Sequence, residues 1–198
     1  MKPDIYTRLK NYHIILGSQS PRRKQLLQGL DISFEQKPMP DIDEIYPPGL
    51  DAVDVPEYLA RLKASAYKNE MREDTLLITA DTVVIIDNEI LGKPHDRSDA
   101  IEMLQKISGR EHMVVSGVCL TKLGEQQSFS SRSFVTFAEI PIQEITYYID
   151  KYKPFDKAGA YGIQEWIGYV AIQKIEGSFY NVMGLPVHQL FNSLKNFV

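Results

Sequence analysis

The chain predicts an α/β fold built on a mixed β-sheet flanked by helices. Strand-like runs rich in β-branched residues alternate first with amphipathic helical segments and later with hairpins, a pattern that calls for parallel and antiparallel pairing in one sheet. Its 198 residues, 43% hydrophobic and 24% charged, suit one globular domain over residues 1–198 with a real core. No tandem repeat or low-complexity tract competes with that reading.

Ile14-Ile15-Leu16 is the first strand, and Ser20-Pro21 then starts a helix expected over residues 21–28, with Leu26, Leu27 and Leu30 on its apolar side and Gly29 at its end. Pro38 to Gly49 is too proline-rich for regular structure and carries Asp41, Asp43 and Glu44. From Val55 to Met71 the apolar positions Val55, Leu59, Leu62 and Ala66 recur at helical spacing. Thr75 to Ile86 reads as a buried strand, and Asp87-Asn88 turns it back toward Ile90-Leu91. Ser98 is expected to cap a helix that ends at Gly109. Two strands follow, at 113–121 and 127–138, and then a helix from Ile142 to Tyr152. A hairpin is expected from Val170–Ile175 and Phe179–Met183 around Glu176-Gly177, and Pro186 opens a last helix.

A net charge of −4 argues against general affinity for nucleic acid or anionic membrane, so any basic cluster must serve a local pocket for a small anion. Cys119, the one cysteine, cannot form an internal disulfide; its apolar neighbours predict a buried strand position and no catalytic thiol. No stretch is long and apolar enough for a membrane helix or a secretory leader, and the expected location is cytoplasmic. The four histidines lack zinc spacing, and no Walker-type loop, dinucleotide fingerprint or GxSxG elbow is present.

The helix start at Ser18-Gln19-Ser20-Pro21-Arg22-Arg23-Lys24 carries cations at the positive end of the helix dipole, a placement that costs about 0.3–1 kcal/mol each unless an anion binds there. Ser18, Ser20, Arg22 and Arg23 could converge on phosphate or carboxylate oxygens; a solvated basic turn is the plain alternative. Asp81 interrupts a buried strand and must meet a metal, a cation or several donors, in a catalytic or a structural role. Alternation along that strand sends Asp81 and Thr82 to opposite faces. Lys93, between Gly92 and Pro94, could reach a phosphate or be an ordinary turn lysine, and Lys63 beside the apolar stripe of its helix reads by default as a snorkelling surface residue. Asp41, Asp43 and Glu44 could ligate Mg²⁺ or simply form a solvated acidic loop. The loop from Asp156 to Gln164 mixes small residues with one aromatic and ends in an amide able to read a base edge that offers both a donor and an acceptor.

Together, Ser18 to Arg23 with Leu26-Leu27, Lys63 in Ala60 to Ala64, Ala80-Asp81-Thr82-Val83-Val84, Leu91-Gly92-Lys93-Pro94, Asp156 to Gln164, and Met183-Gly184-Leu185-Pro186 resemble, in order, the motifs of the Maf family of nucleotide pyrophosphatases. The resemblance implies an inosine triphosphatase-like fold of the Maf/Ham1 type, with two lobes around a cleft. It also implies hydrolysis of a nucleoside triphosphate to monophosphate and pyrophosphate with a divalent cation, Mg²⁺ or Mn²⁺. Asp81 matches the proton acceptor; Arg23, Thr82 and Gln164 match the positions that mark the dTTP/UTP branch; Ser18, Ser20, Arg22, Lys63 and Lys93 would hold phosphates; Glu44 and Asp81 are the candidate metal ligands. A homodimer and a housekeeping role in nucleotide pools are implied as well. The other class of function the resemblance allows is a non-catalytic nucleotide-binding regulator linked to septum formation. Gly17, where alanine is usual, and Lys153, where glutamate is usual, are small departures.

Overall fold

The computed structural model describes residues 4–38 and 42–198, which form two compact units. The first comprises residues up to Asp81 with 116–131 and 184–198, and the second comprises 82–115 and 132–183. The elements in chain order are α1 (Ile5–Leu9), β1 (His13–Gly17), α2 (Pro21–Gln28), β2 (Glu35–Lys37), α3 (Val55–Ala66), β3 (Thr75–Ile86), β4 (Glu89–Leu91), α4 (Arg97–Ile107), β5 (Glu111–Lys122), β6 (Glu125–Phe137), α5 (Ile142–Tyr152), α6 (Trp166–Ala171), β7 (Ile172–Glu176), α7 (Phe179–Met183) and α8 (Val187–Phe197). The strands form one mixed seven-stranded sheet in the order β2-β1-β3-β5-β6-β7, with β4 paired to β3.

In the first unit β1 runs parallel to both β2 and β3, and Gly17 at its end pairs with Thr79. The chain therefore leaves the carboxyl end of β1 beside the residues that lead into Asp81, and α2 begins there. Ligands of open α/β sheets collect at such strand ends. Ile15, Leu77, Cys119, Ala60, Ala64 and Tyr67 form a core cluster of this unit, drawn from β1, β3, β5 and α3 with its cap Tyr67. The first turn of α3 approaches β5 so closely that a Cβ at Gly117 would lie 2.2 Å from the Glu57 backbone nitrogen. Burial raises the thiol pKa of Cys119, which is completely enclosed.

The buried face of α3 is rotated from the one the sequence suggests. Val55, Leu59, Ala60, Lys63, Ala64 and Tyr67 are buried, whereas Leu62 and Ala66 are half-buried, and the α-helix stops at Ala66 before a 3₁₀ turn at Lys68–Glu70. Small Ala60 and Ala64 let the helix sit close to the sheet, and that one-position rotation carries Lys63 inward. It is 7% exposed and is no snorkelling lysine.

In the second unit α4 lies against α5 and the 3₁₀ turn at Ala158–Ala160. Asp96, rather than Ser98, caps α4: its carboxylate accepts from Asp99 N at 2.9 Å, and Asp99 returns the contact to His95 N at 2.8 Å. The β3–β4 turn has positive φ at Asp87 and Asn88, as a tight two-residue hairpin requires. Lys153 adopts φ +49 and ends α5 with its N–H on Ile149 O.

The expected hairpin near the C-terminus does not form. Ile172–Glu176 instead pairs antiparallel with β6, matching Val135 to Ile175 and Thr136 to Lys174, and Phe179–Met183 is helical. Ser178 exchanges hydrogen bonds with Ser133, and its hydroxyl accepts from Asn181 N at the start of the helix. Asn181 then donates to Val114 O at 3.1 Å and Ser133 Oγ at 3.0 Å, inside the unit. Two short apolar runs look alike as sequence; the distant partners of β7 and Asn181 separate strand from helix.

Candidate functional site

In the first unit the Ser18–Arg23 turn closes on itself around α2. Ser20 caps the helix, its Oγ accepting from Arg23 N at 3.4 Å, while Ser18 Oγ accepts from Ser20 N at 3.2 Å and from Arg23 Nη1 at 3.4 Å. The first turn of α2 contains no acid to offset Arg22 and Arg23. Arg23 Nε donates to Gly184 O at 2.9 Å, and Gly184 has φ +114, a conformation glycine adopts without strain. The Met183-Gly184-Leu185-Pro186 segment thus orients a guanidinium, a role the sequence did not reveal. Gln36 adds a second tie, donating to Ser18 O at 2.8 Å.

Lys63 reaches Asp81 Oδ1 at 2.5 Å and Glu44 Oε1 at 3.0 Å. Asp81 is 8% exposed, so the ammonium meets the need for a partner that burial imposes on its carboxylate. Thr79 Oγ1 donates to Ala60 O at 2.7 Å and holds α3 and β3 in this register. Burial lowers the pKa of the Arg23 guanidinium from its ordinary value; Asp81 opposes this, Arg22 reinforces it, and Glu44 again opposes it. Serines 18 and 20, Arg22, Arg23, Glu44, Lys63 and Asp81 thereby form one charged neighbourhood. Asp43 is exposed, and Asp41 lies outside the described residues.

In the second unit Thr82 is half-buried directly after Asp81. Lys93 is exposed beyond β4, and its segment joins the 158–164 loop through Gly159 N donating to Gly92 O at 2.9 Å. Gln164 is half-buried, and its carboxamide oxygen is enclosed without a hydrogen-bond partner among the described residues. Tyr161 of this loop contacts His112 Nε2 at 2.8 Å within an edge-on cluster that includes Phe137.

The family model for Maf-like proteins matches residues 13–197. The chain belongs to the Maf family. Among relatives of this Maf protein, the dTTP/UTP pyrophosphatase of Porphyromonas gingivalis is 65% identical over 191 residues, covering 96% of each chain. That of Phocaeicola vulgatus is 56% identical over 187 residues, covering 94% of this chain and 97% of the relative. The dTTP/UTP pyrophosphatase of Flavobacterium johnsoniae is 45% identical over 191 residues, covering 96% and 98%. The Maf chain also resembles the solved Ham1 protein of Staphylococcus aureus, with a TM-score of 0.55 at 15% identity over 94% of this chain and all of that one. A HAM1 protein of Coxiella burnetii gives a TM-score of 0.50 at 17% identity, covering 93% and 99%. These two structures share the fold.

Proposed function

We propose that this Maf protein hydrolyses dTTP and UTP to the nucleoside monophosphate and pyrophosphate, a housekeeping reaction of nucleotide pools. The relatives named above support the substrate class. The observation that carries the chemistry is the buried Asp81 carboxylate, clasped by Lys63 and electrostatically coupled to Arg23. Attack on the α-phosphorus builds negative charge on the phosphate oxygens and on the departing pyrophosphate, and cations fixed in advance stabilise it. Ser18, Ser20, Arg22 and Arg23 would grip the phosphate chain at the start of α2, with Lys63 and Lys93 adding charge. Asp81 would orient the attacking water and take its proton. Thr82 and Gln164 would contact the sugar and base.

The donor set fits a hard divalent cation. Glu44 and Asp81 offer only carboxylate oxygens, both already within reach of one ammonium. Among the described residues there is no group of three or more His, Cys, Asp or Glu that could hold a metal ion. When bound, Mg²⁺ or Mn²⁺ would neutralise phosphate charge and make a coordinated water more acidic. Lys63 would then release or share its carboxylates.

A homodimer in the cytoplasm belongs to the same reading, supported by the family resemblance; light scattering of the purified chain tests the assembly. No helix among the described residues is long and apolar enough to cross a membrane. A non-catalytic regulator would use the phosphate grip alone and would leave the Lys63–Asp81–Glu44 clasp without a task. Pyrophosphate release from dTTP, UTP, CTP and GTP with Mg²⁺ decides. Preferential hydrolysis of dTTP and UTP, with turnover abolished in Asp81→Asn while nucleotide binding persists, supports the proposal; near-normal turnover by that variant removes Asp81 from the mechanism.

A further inference from the structure

In the second unit β7 is the last strand in the sheet order. It pairs antiparallel with β6 on one side, and among the described residues no strand lies on the other. An open edge offers backbone N–H and C=O groups to any extended chain, and a lysine on the strand is a common guard against such pairing. Here the guard is neutralised. Lys174 Nζ lies 3.0 Å from Glu176 Oε2 on the same strand, and the two side chains are 61% and 67% exposed. The edge therefore presents a cation and an anion two positions apart, with no net charge to repel a partner.

The segments that flank β7 turn apolar groups to solvent. Tyr169, 83% exposed, and the exposed Val170 stand in α6 just before the strand. Phe179 and Tyr180 stand exposed at the start of α7 just after it, their rings edge to face with centroids 5.8 Å apart. Aromatic residues are enriched where proteins meet, and here they bracket an open strand edge.

Resting on the homodimer proposed above, we infer that a second copy of this chain docks on β7, strand edge to strand edge, about a two-fold axis at Ile175. A two-fold contact presents the same surface from both copies, so the two strands run antiparallel. Centred on Ile175, the pairing sets Lys174 opposite Glu176 of the partner subunit, and Glu176 opposite Lys174 of the partner subunit. Centred on Lys174 it would oppose two ammonium groups, and centred on Glu176 two carboxylates. Opposite charges directly across an antiparallel ladder stabilise it and like charges destabilise it, so charge selects the Ile175 register. The same axis carries Tyr169 and Val170 of each copy toward the end of β7 at which Phe179 and Tyr180 of the other stand. A second copy supplies both complements at once, whereas an unrelated strand shares only the backbone pairing.

The test is sedimentation equilibrium of wild type, Lys174→Glu, Glu176→Lys, an equal mixture of these two, and the double variant Lys174→Glu/Glu176→Lys, with circular dichroism to confirm folding. Both side chains are exposed, so neither change burdens the fold. Each single variant turns two attractive cross-strand pairs repulsive and should raise the dimer dissociation constant about ten- to a hundredfold. The two single variants, mixed, should dimerise with each other, and the double variant should regain the wild-type constant. A wild-type chain that stays monomeric at every concentration defeats the homodimer reading and this inference with it. A wild-type dimer whose constant is unchanged in both single variants leaves the homodimer standing on another face and overturns the β7 contact, as does failure of the mixed variants to pair.

Discussion

Replacing Lys63 by methionine tests the clasp directly, because methionine keeps most of the volume and removes only the charge. The ammonium lies 2.5 Å from Asp81, and both side chains are nearly buried, at 9% and 12% exposure. At an effective dielectric of about 20 the gross attraction is about 6–7 kcal/mol, much of it offset by desolvation of the two ions. Removing one partner leaves the enclosed Asp81 carboxylate without the ammonium that contacts it, a loss of up to about 3–5 kcal/mol that the more distant Arg23 charge reduces. Glu44, whose side chain is 49% exposed, turns to water and adds little. For a chain of this size that loss corresponds to a fall in melting temperature of about 6–20 °C. Urea unfolding of wild type, Lys63→Met and Lys63→Met/Asp81→Asn supplies the assay. The double variant should recover at least half of the loss, since a neutral amide needs no counter-charge, while remaining inactive. A Lys63→Met protein that melts within two degrees of wild type, on the order of 1 kcal/mol or less, would refute the argument, as would a double variant no more stable than the single one.

Two further perturbations probe the frame. Burial pushes the His112 imidazole down from its ordinary 6.5 to about 4, so between these values the unfolded chain binds the proton more readily than the folded one. Stability from this group is therefore present above pH 6.5 and is lost as pH falls toward 4, by about 3 kcal/mol in all. His112→Gln should flatten the urea stability-versus-pH curve in that window, and curves of equal slope would contradict the assignment. Gly117→Ala sets a Cβ 2.2 Å from the Glu57 backbone nitrogen, which no rotamer can relieve. It should cost about 1–3 kcal/mol and lower activity by shifting α3 and Lys63; unchanged stability would mean that α3 does not press on β5 there.

The start of α2 was legible because it is local: a serine cap, a proline in the first turn and misplaced arginines need no distant information. The twelve residues of β3 were legible for the same reason, their run of β-branched side chains being long enough to outweigh ambiguity. Asp81 could be recognised as needing a partner, but its partner could not. The apolar spacing in α3 is compatible with two faces one residue apart, and only the fit of Ala60, Ala64 and Tyr67 against the sheet chose the face that buries Lys63. Short segments were ambiguous in the same way, and Phe179–Met183 became a helix because Ser178 and Asn181 found partners on distant strands.

The sequence by itself determined where the chain turns, which helix begins with a serine cap followed by cations, that a carboxylate interrupts a buried strand, and the family to which these motifs correspond. Tertiary structure alone decided that Lys63 rather than solvent neutralises Asp81, that Gly184 orients Arg23, and that Ile172–Glu176 pairs with β6. The physical reason is range. Caps, dipoles and β-branching act within a few residues, whereas burial and charge pairing depend on which segments the packed core brings together, and those pairs lie 18 and 161 positions apart.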